Sequence, residues 1–178
     1  MQDLTADKLQ IAYDGPALKQ GRMSMEALGN GLRGHALLVE RVSLLMYHDR
    51  YTFQVDVDPG FERGSILIPV HILSSALQQA GDLLAGRPVT AFANLLQLLG
   101  FFGVSATSLY KLFKRLKGRP IKRPEDLPPP EELKLDISIE LLIQIYNDNE
   151  VQHHLRQTIS PLRTEGIEEF QTRRKASR

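Results

Sequence analysis

The chain has 178 residues, of which 42% are hydrophobic and 24% are charged, and its formal net charge at pH 7 is +1. This length suits one hydrophobic core, or a domain with a smaller appendage. The sequence contains no cysteine, which excludes disulfides, thiolate metal sites and cysteine nucleophiles. The near-neutral charge excludes a general attraction to nucleic acid, so any electrostatic function must come from local segregation of charge. The N-terminus lacks the pattern of a secretory signal, so we expect a cytoplasmic location.

The first part of the chain predicts a strand followed by a long helix. Apolar residues from Leu9 to Tyr13 end at Asp14-Gly15-Pro16, which is a turn signal. Ser24 suits the N-cap of the helix, and Glu26 in its first turn complements the helix dipole. Apolar residues then recur at alternating spacings of four and three, from Leu28 to Met46, which predicts one helix face.

A β-hairpin follows the long helix. Apolar and polar residues alternate from Tyr51 to Asp58, and Pro59-Gly60 opens a loop. Ile66 to Ile72 forms the returning strand. Because Pro69 has no N–H to donate, we expect this strand at a sheet edge or with a bulge.

The second half of the chain predicts mainly helices. They cover Ser74 or Ser75 to Ala85, Thr90 to Leu99, a segment capped by Ser105, a segment capped by Ser138, and Val151 to Ile159. Ile167 to Thr172 predicts a last strand, which pairs with the N-terminal sheet unless the chain belongs to a longer protein. The fold class is therefore α+β. We expect an α+β core domain at 1–117, a stiff proline-rich connector at 118–130, and a helical C-terminal segment at 131–178 that ends in a short strand.

Charge is segregated in the middle of the sequence. Leu83 to Arg123 contains no acidic residue but eight basic ones, whereas Glu125 to Glu150 contains eight acids and Lys134 alone. One interpretation is that the two segments attract each other within the fold or between copies. Another is nucleic-acid binding, with Tyr110 and Phe113 available for stacking on bases. A third is a solvated basic helix face.

The residues from Pro88 to Tyr110 form an uncharged run in front of these basic residues. Its 23 residues are enough to span a bilayer, and a basic flank would mark the cytoplasmic side. Polar residues and glycines within the run favour two short helices joined by Gly100-Phe101-Phe102-Gly103 instead. On that interpretation the pair of phenylalanines is an apolar knob that protrudes toward a partner.

No motif points to catalysis, a cofactor or a metal. Gly29 to Gly34 matches G-x-G-x-x-G, but it lies inside the predicted helix, so close helix packing explains it better than dinucleotide binding. The five histidines lack the spacing of metal ligands, and His35 suits a core or groove position. Asp56 and Asp58 suit a solvated strand face better than acid–base chemistry. We therefore expect no enzyme, no cofactor, no metal and no catalytic residue.

Five pieces of the sequence resemble an uncharacterised bacterial family that occurs in phages, prophages and mobile elements. They are IAYDGPAL, FERGS, LLGFFG, KLFKRLKGRPIK and ISPLRTEGIEEF. The resemblance implies no site residue and no activity. It implies a context of phage–host conflict, in which a protein acts by binding a host component.

The leading hypothesis is a non-catalytic, oligomeric binding protein with a protein partner that the host encodes. The interaction residues expected from the sequence are Phe101, Phe102, Lys111, Lys114, Arg115, Lys117, Arg119, Lys122 and Arg123. The alternatives are a membrane-associated effector that uses residues 88–110 and their basic flank, and a nucleic-acid binder that uses residues 111–123.

Overall fold

A computed structural model describes residues 8–20, 22–48, 53–57, 66–74, 87–101, 108–133 and 137–175. The strands are β1 (Lys8–Asp14), β2 (Phe53–Val57), β3 (Ile66–Ser74) and β4 (Glu169–Lys175). The helices are α1 (Pro16–Lys19), α2 (Met25–Tyr47), α3 (Arg87–Leu98), α4 (Leu109–Leu116), α5 (Pro130–Leu133), α6 (Ile139–Asn147) and α7 (Asn149–Thr158), with 3-10 turns at Pro124–Asp126 and Ser160–Arg163. The α+β class is confirmed. The helix predicted from Ser74 or Ser75 to Ala85 lies outside the described residues.

The four strands form one antiparallel sheet in the order β2-β3-β1-β4. β2 and β3 pair as the predicted hairpin. β4 pairs with β1 along its whole length, from Asp14↔Glu169 to Lys8↔Lys175, so the expected pairing of the last strand with the N-terminal sheet is confirmed. The inner strand β1 is buried from Leu9 to Tyr13, and its pairing with β4 brings the two ends of the described chain into one sheet.

Pro69 does not mark an edge strand. β3 lies between β2 and β1, and its register with β1 is continuous through the pair Gln10↔Pro69. The expectation of an edge strand is therefore wrong. The register between β2 and β3 starts one residue later, at Val57↔Val70. Within the described residues, Pro69, which has no N–H donor, thus lies just beyond the last pair between β3 and β2.

The helix α2 is the longest element of the described chain, and its predicted N-cap is confirmed. The side-chain oxygen of Ser24 accepts a hydrogen bond from the N–H of Ala27 at 3.2 Å, which satisfies one of the free donors of the first turn. Leu38, Val39 and Val42 are fully buried on this helix. It packs mainly against α7 and also contacts β2.

The three glycines of the G-x-G-x-x-G match lie within α2, two of them at close contacts. A Cβ atom at Gly34 would lie 2.6 Å from the backbone nitrogen of Thr158 in α7, and one at Gly31 would clash with the hydroxyl of Tyr13. No atom lies near a Cβ built at Gly29. The match therefore reflects close packing of α2 against α7 and β1, as the sequence indicated.

The segment from residue 118 to residue 130 packs against the rest of the protein. Ile121 and Leu127 are buried in the core. The side chain of Asn147 in α6 accepts from the N–H of Ile121 and donates to its carbonyl oxygen, both at 2.8 Å. These proline-flanked residues thus hold a defined position beside α6.

Candidate interaction surface

The helix α4 carries three of the expected interaction residues on one face. Leu109 and Leu112 are buried, whereas Lys111, Lys114 and Arg115 are exposed. Positions three and four apart are neighbours on a helix surface, so these three cations form one stripe. The helix begins at Ser108, whose hydroxyl accepts from the N–H of Lys111 at 3.3 Å. The N-cap is therefore Ser108 and not Ser105, which lies outside the described residues.

The stripe continues past the end of α4. Lys117, Arg119, Lys122 and Arg123 are all exposed. Asp126 stabilises the turn at Lys122 and Arg123, because its carboxylate accepts hydrogen bonds from their N–H groups at 3.0 Å and 3.1 Å. These hydrogen bonds lower the pKa of Asp126. The carboxylate thus fixes the backbone of the turn and leaves both cationic side chains exposed.

Lys117 has an unusual backbone conformation for a residue with a side chain. It ends α4 in the left-handed region with φ 52°. Its N–H donates to the carbonyl of Lys114, and that of Gly118 donates to the carbonyl of Phe113, which is the hydrogen-bond pattern of a Schellman C-cap. Glycine is the usual residue at this position because a Cβ atom is strained there.

Arg156 joins this surface from α7 and was not expected from the sequence. Its guanidinium carbon lies 5.6 Å from the centroid of the Phe113 ring, and one of its nitrogens donates to the carbonyl of Gly118 at 3.4 Å. Arg156 is exposed. We use the term basic surface for Lys111, Lys114, Arg115, Lys117, Arg119, Lys122, Arg123 and Arg156.

Phe101 does not protrude, which corrects the expectation of an apolar knob. Gly100 ends α3 with φ 87°, and the N–H groups of Gly100 and Phe101 donate to the carbonyls of Gln97 and Leu96. This C-cap turns the chain back toward the core. Phe101 is fully buried and meets the ring of His35 edge-on, with the centroids 5.8 Å apart. Phe102 lies outside the described residues.

Tyr110 and Phe113 are both half-buried, and their rings contact other side chains. The Tyr110 hydroxyl lies 2.7 Å from Nδ1 of His35, and its ring contacts Phe170 at a centroid distance of 4.7 Å. Burial raises the pKa of Tyr110. The ring of Phe113 is covered by Arg156. The suggested stacking role of these two side chains stays a prediction.

The polar groups beneath the basic surface belong to the core. His35 is fully buried, as the sequence suggested, and burial lowers its pKa to about 3. Its Nε2 has no hydrogen-bond partner in the described part of the chain. The Tyr13 hydroxyl donates to the carbonyl of Thr158 at 2.8 Å, and burial raises the pKa of Tyr13. This cluster joins α2, α4, α7 and β1.

Two acids of the segment 125–150 pair with α2. Arg41 donates to both carboxylate oxygens of Asp148, at 2.7 Å and 3.1 Å, and lies 2.9 Å from Glu150. The hydrogen bond from Arg41 is the main cause of a lowered pKa at Asp148. Asp148 also caps α7 through the N–H groups of Glu150 and Val151. Asp126 contacts the basic segment through the backbone N–H groups of Lys122 and Arg123, and the expected attraction between the two charged segments stays a prediction.

Two features of the described residues concern membrane spans and metal sites. Within them, no helix is long and apolar enough to cross a membrane. α3 ends at Leu98, inside the uncharged run. In the same ranges no three His, Cys, Asp or Glu residues are grouped to hold a metal ion.

The exposed cations of α4, of the segment after it and of α7 are thus the strongest candidate site in the described fold. Comparison with protein-family models, with curated proteins and with solved structures finds no match for this chain.

Proposed function

We propose that this chain is a non-catalytic binding protein that recognises an acidic partner through the basic surface. The observation that carries the proposal is the exposure of all seven basic residues expected from the sequence, together with Arg156. Exposed cations without interspersed acids attract an anionic partner and steer its approach. No acid lies between residues 83 and 123.

The fold keeps part of the acidic segment from neutralising these cations. Asp148 and Glu150 are paired with Arg41, which is outside the basic surface. Asp126 uses its carboxylate on the backbone of Lys122 and Arg123. These three acids thus have partners other than the side chains of the basic surface, and those side chains are exposed.

The resemblance to phage-associated sequences supports a role in phage–host conflict, with the partner supplied by the host. A host partner and an oligomeric state both stay predictions. Light scattering on the purified chain measures the oligomeric state. To test for a host partner, the chain is expressed in the host, where it should change how efficiently a phage plates. The double variant Lys114→Gln/Arg115→Gln should abolish that change. Equal plating with both forms would refute a conflict role through this surface.

The binding role is tested by retention on a sulfated polyanion resin. Lys114→Gln/Arg115→Gln should elute at lower salt than Lys19→Gln/Arg22→Gln. The control pair is also exposed, lies near α1, and changes the net charge by the same amount. If both variants elute together, net charge alone governs retention and the basic surface is no binding site.

A further inference from the structure

We infer that the acidic partner is the phosphate backbone of double-stranded nucleic acid, bound without recognition of base sequence. This inference rests on the proposed function, because it names the partner class of the same basic surface. Three observations carry it: the composition of the surface, the contacts of its described aromatic side chains, and the residue that ends α4.

The composition suits phosphates better than a protein partner. Four of its eight cations are lysines, Lys111, Lys114, Lys117 and Lys122. Lysine is depleted at protein–protein interfaces, whose energy centres on buried aromatic and apolar anchors. Among the described residues, the large exposed apolar side chains are Met25 and Leu44, both on α2. A surface of long cations without an exposed anchor is typical of backbone contacts to nucleic acid.

The aromatic side chains favour a duplex over a single strand. Proteins that hold single strands stack bases on exposed aromatic rings. Here the hydroxyl of Tyr110 forms a hydrogen bond with Nδ1 of the buried His35, and the guanidinium of Arg156 lies over the ring of Phe113. The exposed members of the basic surface are all cations, and cations contact phosphates in a way that does not depend on base sequence.

Lys117 carries a charge at this surface although its backbone conformation is strained for a residue with a side chain. The position has φ 52°, where glycine would be less strained. Lys117→Gly should therefore raise the midpoint of unfolding and still weaken binding. A loss of affinity in a more stable protein cannot come from unfolding.

The expected affinity depends steeply on salt. If five of the eight cations contact phosphates together, log K should fall with log salt at a slope of about −4.5, which is a loss of about 500-fold between roughly 50 and 200 mM salt. A variant that lacks two contacts should bind about tenfold or more weakly and lower the slope by about 2.

The test is fluorescence anisotropy with two labelled DNA duplexes of unrelated sequence, each of about 20 base pairs. The variants are Lys114→Gln/Arg115→Gln on α4, Lys122→Gln/Arg123→Gln in the turn, Lys117→Gly, and the control Lys19→Gln/Arg22→Gln. The second pair lies outside a helix, so it retains the fold if the first pair weakens α4. A single-stranded oligonucleotide and poly-glutamate serve as competitors.

We expect equal affinity for both duplexes, weaker binding in the three surface variants, and no loss in the control. Binding of labelled poly-glutamate, measured directly, without binding of either duplex would overturn the nucleic-acid inference and leave the proposed function standing. A clear preference for the single strand would overturn the inference of a duplex. Equal losses in surface and control variants, or no binding to either polyanion, would overturn both proposals.

Discussion

The crossing of α2 and α7 predicts opposite effects for the same substitution at two glycines of one helix. A Cβ atom at Gly34 would lie 2.6 Å from the backbone nitrogen of Thr158 and 2.8 Å from Cβ of Gln157. These atoms cannot rotate away as the end of a side chain can, so the two helices would have to move apart. At Gly29 a Cβ atom would meet nothing within 4 Å.

The difference between the two variants isolates the cost of the close contact. Alanine gains about 0.5–1 kcal/mol over glycine inside a helix, and this gain applies to both sites. Added volume in a packed contact costs about 1–3 kcal/mol. Gly29→Ala should therefore be more stable than the wild type, and Gly34→Ala should be less stable than Gly29→Ala by about 1–3 kcal/mol. The backbone atoms at the contact favour the upper part of that range.

Urea unfolding followed by far-UV circular dichroism measures both variants. Similar slopes with different midpoints would attribute the change to the folded state. If Gly34→Ala is as stable as Gly29→Ala, the two helices do not cross as closely as described, and the G-x-G-x-x-G match needs another explanation.

Three further predictions concern caps, charges and pH. Ser108→Ala should lower the free energy of unfolding by about 1 kcal/mol through loss of the α4 cap, and an unchanged free energy of unfolding would contradict the assignment. Asp148→Ala should cost about 2 kcal/mol, because it removes both a cap and a two-pronged pair with Arg41, and Glu150→Ala should cost less in the same urea unfolding. Burial lowers the pKa of His35 from 6.5 to about 3, so between these pH values only the unfolded state binds the proton. The free energy of unfolding should therefore fall as the pH drops from 6.5 toward 3, by up to about 1.4 kcal/mol per pH unit. His35→Gln should flatten that slope, and an unchanged slope would refute the assignment.

Local signals in the sequence predicted most of the described elements. The alternation in β2 and the turn after β1 needed no tertiary information, because strand period and turn residues are local properties. The N-caps Ser24 and Ser138 could be predicted because each accepts a hydrogen bond from an N–H only three residues further along the chain. Exposure of the basic residues followed in the same way, because helical spacing separates Leu109 and Leu112 from the cations around them.

Features that depend on contacts between distant residues were not predictable. Arg156 reaches Phe113 only because α7 packs beside α4, 43 positions apart by the residue numbers 156 and 113. The C-cap at the end of α3 turns Phe101 inward. A glycine followed by two phenylalanines does not indicate in which direction the chain turns after the helix. Pro69 is compatible with an inner strand because the described pairing of β2 with β3 ends at Val57↔Val70, one residue before the proline. The sequence around Pro69 does not indicate how far the neighbouring strand extends.

The helix α7 explains how a nearly neutral chain keeps a basic surface. Its N-terminus holds the acids Asp148 and Glu150, where the helix dipole favours negative charge, and its last turn holds Arg156, where the dipole favours positive charge. Arg41 pairs with the acidic end, and the basic end joins α4 at Gly118. The same rule places Lys114 and Arg115 in the last turn of α4. Two helix C-termini thus bring their cations to one surface, so the segregation of charge in the sequence follows partly from helix stability. Helix stability gives no reason for Lys117, which is strained and charged at the end of α4. This is the residue at which stability and the proposed binding should separate.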